Sequence, residues 1–356
     1  MAVTFTLEQL WHPVPGGTAR AALGLVEQLV QCGDIDLTAY SARHVRGPEK
    51  GWKVPDNVKW RRSSLPRPVL YESWLRRGKP IVGNERTIVH STTLFPVPSR
   101  GKSIVTIHDL AFLDDPSVFT IRGARLFAQC VDMAKATADA VVVPSQHTWD
   151  AAVRHGFDAS QLRLIPLATK RPLDVESGAR HRPYVLWVGT VEPRKNLIGL
   201  IDAFRSVAND IPHDLVLVGP QGWGADIAAH TTGIEDRVVR YGFATDHELA
   251  QLYRGADVFA FPSLAEGFGL PVLEAMSYGV AVVTSSGTAT EELVAGGGGL
   301  AVDPYDSKSL GRTIAEVVSD RTMHDVLCRG ALQRSTEYSW KAAADLTVAM
   351  YRDLTA

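Results

Sequence analysis

Short apolar, β-branched runs alternate with longer amphipathic segments from one end of this chain to the other, and that alternation constrains its fold more than any other feature. In the first half, residues 88–90, 103–107, 140–143 and 162–165 read as buried strands. In the second half, 184–188, 215–218, 238–241, 258–261 and 281–284 read the same way. Between them, apolar positions at helical spacing cover stretches such as 21–30, 197–209 and 248–256. A strand buried on both faces is a near-continuous apolar run, and helices between such strands make parallel crossovers. The pattern predicts an α/β architecture of doubly wound parallel sheets. A length of 356 residues fits two such domains better than one. The break falls at 169–183, a polar, proline-containing stretch between two strand signals. It leaves a first domain at 1–168 and a second at 184–339, while 340–356 reads as an amphipathic helix expected to return to the first domain.

Composition serves mainly to exclude. With 45% hydrophobic and 21% charged residues, both domains can bury a core. A formal net charge of -2 gives no reason to expect nucleic acid as a partner. The three cysteines, Cys32, Cys130 and Cys328, are too far apart for a disulfide framework or a zinc spacing and fit a reducing cytoplasm. The first ten residues lack a basic segment leading into an apolar one, and no run approaches the ~18 apolar residues of a membrane span. The expected location is cytoplasmic, with at most a peripheral contact at the inner face of the membrane.

In doubly wound sheets ligands bind beyond the carboxyl ends of the strands, so chemistry-bearing residues belong in the strand-to-helix loops. The segment Phe261-Pro-Ser-Leu-Ala-Glu-Gly-Phe-Gly-Leu-Pro-Val-Leu-Glu274 has that form. A strand ends near Phe261, the loop carries Glu266, and a helix opens near Leu270. Pro271 lies in the first turn of that helix, where its missing N–H would have been unpaired anyway. Gly279 suits the helix's far end. Gly267 and Gly269, flanking Phe268, let backbone N–H groups approach a ligand, and the helix start at Leu270 favours an anion such as a diphosphate. Glu266 and Glu274 can then reach different parts of one ligand, sugar hydroxyls for the first and ribose hydroxyls for the second. The structural alternative makes Glu274 a dipole partner of the first turn and Glu266 a solvated loop residue.

Gly189-Thr-Val-Glu-Pro-Arg-Lys-Asn196 follows the strand at 184–188. Gly189 permits a tight turn, and Asn196 is placed to cap the following helix. The fork of Arg194 and the point charge of Lys195 both suit phosphate oxygens. Adjacent basic residues are commonly solvated surface, and it is their place directly after a strand that favours phosphate. Further along, Thr245 or Asp246 caps a helix with Glu248 at the capping-box position. Phe243, at the end of the strand before it, can offer an aromatic face to a nucleobase. A structural role is equally open there.

Glu266 and Glu274, with seven residues between them, resemble the E-x7-E signature of the retaining glycosyltransferases of family 4, the group 1 glycosyl transferases. Gly189…Arg194-Lys195-Asn196 and Gly242-Phe…Leu249…Tyr253-Arg-Gly-Ala-Asp257 are similar to that family's second domain, and the likeness runs through nearly the whole chain. The resemblance implies a GT-B fold, two Rossmann-like doubly wound domains facing across a cleft, with the nucleotide-sugar donor held mainly by the second. It assigns Arg194 and Lys195 to the diphosphate, Glu274 to the ribose and Glu266 to the donor sugar. The tract 188–196 and the run His108-Asp-Leu-Ala-Phe look most like mannosyl- and related hexosyltransferases. That implies GDP-mannose as donor, a UDP- or dTDP-sugar next, and a glycan, lipid-linked or small-molecule acceptor.

Motifs of the first domain depend more on the resemblance. Gly16 and Gly17 before the helix at 21–30 are by themselves an ordinary turn, and by likeness the loop that touches the donor. His108 and Asp109 end the strand 103–107. A lone histidine is usually buried against a backbone carbonyl, whereas the resemblance places His108 near the donor sugar. Asp109 then orients it or approaches the acceptor, and Thr92, ending another strand, adds a hydroxyl. Val143-Pro-Ser145, with Thr148 as the following cap, reads as a structural turn. Residues 60–80 carry Arg61, Arg62, Arg67, Arg76, Arg77 and Lys79 against the single acid Glu72, interleaved with Trp60, Leu65, Leu70, Tyr71, Trp74 and Leu75. Such a run either packs its aromatics inward or meets anionic lipid or an acidic acceptor.

A departing diphosphate needs its developing charge stabilised, which Arg194, Lys195 and the helix start at Leu270 can supply. No metal or other cofactor is therefore expected, and Asp34-Ile-Asp36 falls in a helix-to-strand connection away from the cleft. Retention of configuration is implied by the resemblance. No residue stands out as a covalent nucleophile, and same-face attack with the leaving phosphate as base fits. A non-catalytic nucleotide-sugar-binding protein and a sugar-nucleotide epimerase of the same architecture are the alternatives. The intact set Glu266, Arg194, Lys195 and His108 disfavours both.

Overall fold

Strands returned to the same edge by helical crossovers must pair in parallel, and this is how both halves of the chain are built. The computed structural model describes every residue except 13–15, 49–51, 117–119, 179–180 and 223–225. The chain forms two compact units, Met1–Ala168 together with Ser339–Ala356, and Thr169–Tyr338.

The first unit holds β1 (Ala2–Thr6), β2 (Asp36–Ser41), β3 (Lys59–Arg62), β4 (Thr87–Ser91), β5 (Ser103–Thr106), β6 (Ala140–Val143) and β7 (Leu162–Leu164). They form a seven-stranded sheet in the order β3-β2-β1-β4-β5-β6-β7, parallel at every pair. The helix Trp340–Thr355, capped by Ser339, closes this unit. Its Trp340 indole lies so close to Gly24 that any side chain there would overlap it. Its Tyr351 hydroxyl is 2.6 Å from Nδ1 of His90 in the sheet centre.

In the second unit, β8 (Tyr184–Val188), β9 (Asp214–Val218), β10 (Val238–Gly242), β11 (Val258–Phe261), β12 (Ala281–Ser285) and β13 (Gly299–Val302) form a six-stranded sheet. Its order is β10-β9-β8-β11-β12-β13, again parallel throughout. Val185, Leu186, Val258, Phe259 and Val282 are wholly buried in its central strands. Burial of each such side chain contributes roughly 1.5–3 kcal/mol. The strand order reverses between β1 and β4 in the first sheet and between β8 and β11 in the second. Loops diverge at such points and leave a crevice for ligands.

Several local expectations are corrected. The strands β1, β2, β3 and β13 carry no expected run. Ser145, not Thr148, caps the helix Gln146–Arg154, its Oγ accepting from the Thr148 N–H at 3.0 Å. Thr245 caps the helix Asp246–Arg254 through a full capping box with Glu248. Asn196 occupies a cap position before the helix Leu197–Val207 but its side chain caps nothing. Its Nδ2 donates instead to the Pro304 carbonyl at 2.7 Å. Within 169–183, whose residues 179–180 lie outside the described ones, the Leu173 N–H donates to the Tyr278 hydroxyl at 3.0 Å, tying that stretch to the second unit.

Candidate active site

The β8/β11 reversal brings the two strongest sequence motifs into direct contact. After β8, Pro193–Lys195 form a single 3-10 turn ended by Asn196, whose φ of 51 is left-handed. After β11, Ser263–Glu266 run back over that turn, and the Leu264 N–H donates to the Arg194 carbonyl at 2.8 Å. Lys195 Nζ donates to Glu266 Oε1 at 2.5 Å, and the same ammonium lies 5.0 Å from the Phe261 ring centroid. Arg194 Nη1 is 3.3 Å from that carboxylate oxygen. Its guanidinium also donates to the Ala265 carbonyl at 2.8 Å and to Glu192 Oε1 at 2.9 Å. The Ser263 hydroxyl donates to the same oxygen of Glu266 at 2.8 Å.

Glu266 is only 8% exposed, so it is not the solvated loop residue of the structural alternative. Burial pushes its carboxyl up, but Lys195 and Arg194 outweigh that and hold it below the usual carboxylate range. Burial pulls Lys195 below the ordinary lysine range, and Glu266 offsets part of the effect. The carboxylate is thus ionised at neutral pH, beside two basic side chains that are themselves largely buried.

The helix Leu270–Ser277 begins where Gly269 adopts a φ of 99, and a Cβ there would come 2.5 Å from Thr290 Cγ2. Glu274 on this helix accepts from the Tyr253 hydroxyl at 3.1 Å. Phe268 turns away from the loop, packing edge-on against Tyr338 at 5.8 Å, so only its backbone is placed to meet a ligand. Gly189 lies against Gly219, where any side chain would overlap the Gly189 carbonyl. Phe243 is 77% exposed just beyond β10, two strands out from β8.

Residues 172–334 match the sequence model of the glycosyl transferases group 1. The O-antigen chain mannosyltransferase B of Escherichia coli is 27% identical across 99% of this chain and 100% of its own length. The chain is a glycosyltransferase of the GT-B fold. The serotype-specific mannosyltransferase WbdA of Escherichia coli is 32% identical over 46% of this glycosyltransferase, a match spanning 21% of that relative's length. Among solved structures, sucrose-phosphate synthase of Thermosynechococcus elongatus superposes with a TM-score of 0.77 at 20% identity, covering 100% of this chain and 99% of its own.

In the glycosyltransferase's first unit, the side chains beyond β4 and β5 form a chain of bonds. His108 Nε2 is 3.0 Å from the Thr92 carbonyl oxygen. Burial holds the imidazole below the usual histidine range, so the ring is neutral, donates through Nε2 and keeps Nδ1 as an acceptor. Asp109 Oδ1 accepts from the Ala111 N–H at 3.3 Å. The hydroxyl of Thr92, expected to meet the acceptor, is buried here, donating to the Thr6 carbonyl and accepting from Gln9 Nε2 at 2.7 Å. Gly16 is the extended residue before the helix Gly17–Leu29, with Gly17 its first helical residue. Residues 13–15 of that motif lie outside the described ones.

The segment 60–80 resolves into two faces. Leu70 and Trp74 of the helix Arg67–Arg77 are buried, Trp74 Nε1 donating to the Pro80 carbonyl at 3.0 Å. Tyr71 stacks on Phe95 at 4.1 Å. The aromatics therefore pack inward, while Arg61, Arg62, Arg76, Arg77 and Lys79 are exposed. Asp34 and Asp36 lie at the amino ends of the first unit's strands, where the Asp36 N–H donates to the Met1 carbonyl at 2.9 Å, away from the strand-to-helix loops of that sheet. Among the described residues no helix is long and apolar enough to cross a membrane.

Sequence reasoning missed Ser263 and Glu192 and gave Tyr253 no role. Each sits beside a residue that was singled out. A hydroxyl directly after an apolar strand and a carboxylate two residues before an arginine were the available signals.

Proposed function

We propose that the glycosyltransferase moves a hexose, mannose in the first instance, from GDP-mannose to a glycan or lipid-linked acceptor with retention of anomeric configuration. The observation that carries this reading is the convergence of Arg194 and Lys195 on buried Glu266 at the β8/β11 reversal. Paired cations in a desolvated crevice suit a diphosphate, whose charge grows as the sugar–oxygen bond breaks. Incoming phosphate oxygens take over the donors that now serve Glu266, releasing the carboxylate to accept from sugar hydroxyls. The N–H groups at the start of the helix Leu270–Ser277 add to the diphosphate contacts, and Glu274 accepts from the ribose hydroxyls. Gly189, Gly267 and Gly269 admit the ligand's close approach, and exposed Phe243 is the residue for the base. In the first unit, His108 Nδ1 accepts from a sugar hydroxyl. With this cation supply the reaction needs no divalent metal. Mannose is favoured by the full-length likeness to an O-antigen chain mannosyltransferase.

The deciding experiment has two parts. Purified protein is melted with GDP, UDP, dTDP or ADP, and a ligand at a hundredfold excess over its dissociation constant adds about 2.7 kcal/mol of stability. The protein is then incubated with GDP-mannose and a mannose-terminated oligosaccharide, with and without EDTA. A shift with GDP, and transfer that survives EDTA and gives an α-linked product, supports the reading. A shift with UDP alone replaces the donor, and EDTA-sensitive transfer removes the metal-free mechanism.

The exposed basic face of 60–80 is proposed to contact anionic bilayer surfaces. Co-sedimentation with phosphatidylglycerol vesicles, lost at high salt and in Arg76→Glu/Arg77→Glu, is the expected result. Equal binding to neutral phosphatidylcholine vesicles overturns it.

A further inference from the structure

The Ser263 hydroxyl lies at the junction of the two donor-site loops. Ser263 is wholly buried, and its Oγ is 2.9 Å from the Arg194 carbonyl oxygen, 3.2 Å from that of Ala265 and 2.8 Å from Glu266 Oε1. A serine hydroxyl carries a single proton, so these three acceptors compete for it. An ionised acceptor wins, because charge-assisted hydrogen bonds are roughly twice as strong as neutral ones. The hydroxyl therefore serves Glu266 as long as that carboxylate points inward, and the Arg194 carbonyl is the neighbour it can turn to otherwise.

The surroundings keep the serine still. Its carbonyl accepts from the Ser285 hydroxyl at 2.6 Å, and the Phe261 carbonyl accepts from Thr284 Oγ1 at 2.9 Å. The Leu264 N–H holds the Arg194 carbonyl at 2.8 Å independently of the hydroxyl. Removing the hydroxyl thus leaves the loop-to-loop clasp in place and deprives chiefly Glu266.

We propose that Ser263 is a positioning residue for the transfer step: its hydroxyl holds the Glu266 carboxylate in place while that carboxylate engages the donor sugar, with the Arg194 carbonyl as its alternative acceptor whenever Glu266 moves. This rests on the reading of Glu266 as the donor-sugar carboxylate. A rotor with an acceptor in both states leaves no buried polar group unpaired as the carboxylate moves, and an unpaired one is costly in a site this dry. The hydroxyl also helps Lys195 and Arg194 keep Glu266 ionised.

The test uses the full chain with GDP, GDP-mannose and the mannose-terminated acceptor, comparing Ser263→Ala, Ser263→Thr and Glu266→Gln. Ser263→Ala is expected to lower kcat about ten- to hundredfold, the worth of one hydrogen bond to a charged group. GDP affinity is expected to stay unchanged, and the acid limb of the kcat/KM profile to move to higher pH. Ser263→Thr keeps the hydroxyl and restores kcat; if it does not fold, the acid limb of Ser263→Ala decides alone. The proposal is overturned if Ser263→Ala keeps the wild-type kcat and acid limb while Glu266→Gln is inactive. It is equally overturned if Ser263→Ala loses GDP affinity and melting temperature together, the mark of a structural role. Full transfer by Glu266→Gln instead sinks the underlying reading of Glu266.

Discussion

Lys195 Nζ stands 2.5 Å from Glu266 Oε1, and both side chains are nearly sealed from water, at 12% and 9% exposure. A buried pair of this kind carries desolvation costs that only the partner offsets, so losing one member costs more than losing both. Removing one partner typically costs about 3–5 kcal/mol, and replacing both is close to neutral. Arg194 still faces the carboxylate at 3.3 Å, which puts Lys195→Met near the lower end, about 3 kcal/mol. The double variant Lys195→Met/Glu266→Gln is expected to recover most of that in urea unfolding. A Lys195→Met protein as stable as the parent means the pair does not form in solution.

Asn196 gives a cleaner separation of backbone from side chain. Its left-handed φ of 51 ends the turn that carries Arg194 and Lys195, and its Nδ2 reaches the Pro304 carbonyl at 2.7 Å. Gly199 makes room for it, since a Cβ there would lie 2.5 Å from Asn196 Oδ1. Asn196→Gly keeps the backbone and forfeits one hydrogen bond, about 1 kcal/mol. Asn196→Ala adds the left-handed penalty, roughly 1–2 kcal/mol more. Melting curves should rank parent above Gly above Ala, with GDP affinity in the same order. Equal melting of the two variants contradicts the backbone argument.

How legible the sequence was followed from where each residue's partners lie. The runs that became β8, β9, β11 and β12 are buried on both faces, so their apolar continuity showed directly. β3, the edge strand Lys-Trp-Arg-Arg, has one half-buried side chain among exposed ones and carries no such signal; only its parallel pairing to β2 makes it a strand. The loops bearing Arg194, Lys195 and Glu266, and the helix start before Glu274, were legible because strand-to-helix position is local. Side-chain destinations were not. Asn196 stands in the right place for a cap and bonds a carbonyl 108 residues away, while Phe268 and Thr92 are drawn into packing and bonds by neighbours distant in sequence. Ser263 matters only once two loops have met, which no spacing within one loop can announce.

Tyr253 tests whether Glu274 must be aimed. Its buried hydroxyl donates to Glu274 Oε2 at 3.1 Å, and its ring stacks on Tyr278 at 5.6 Å. Tyr253→Phe retains the stack and removes the hydroxyl that donates to Glu274. GDP affinity is expected to fall about tenfold, ~1.4 kcal/mol, the scale of a hydrogen bond to a charged group, with little change in kcat at saturating donor. Calorimetric titration reads this directly, and an unchanged dissociation constant removes Tyr253 from the site.

His90 makes the first unit sensitive to acid in a calculable direction. The ring is wholly buried, with Nδ1 2.6 Å from the Tyr351 hydroxyl and Nε2 2.8 Å from Thr106 Oγ1. Burial, with a smaller contribution from His108, pushes its pKa down to about 3. The unfolded chain binds the proton near pH 6.5 and the folded one does not. Between those limits the unfolded state holds one more proton, so stability falls as pH drops from about 6.5 towards 3, by ~1.4 kcal/mol per pH unit. At pH 5 the loss from this group alone is about 2 kcal/mol. His90→Gln gives up part of the hydrogen bonding at neutral pH but does not titrate. Its stability, from urea unfolding between pH 7 and pH 4.5, should therefore decline less steeply than the parent's by about one proton's worth. Because every other titrating group is shared, the difference in slope isolates His90. Two parallel curves would mean that the buried ring is protonated in the folded chain, and that the neutral contact with Tyr351 does not hold the C-terminal helix as the structure has it.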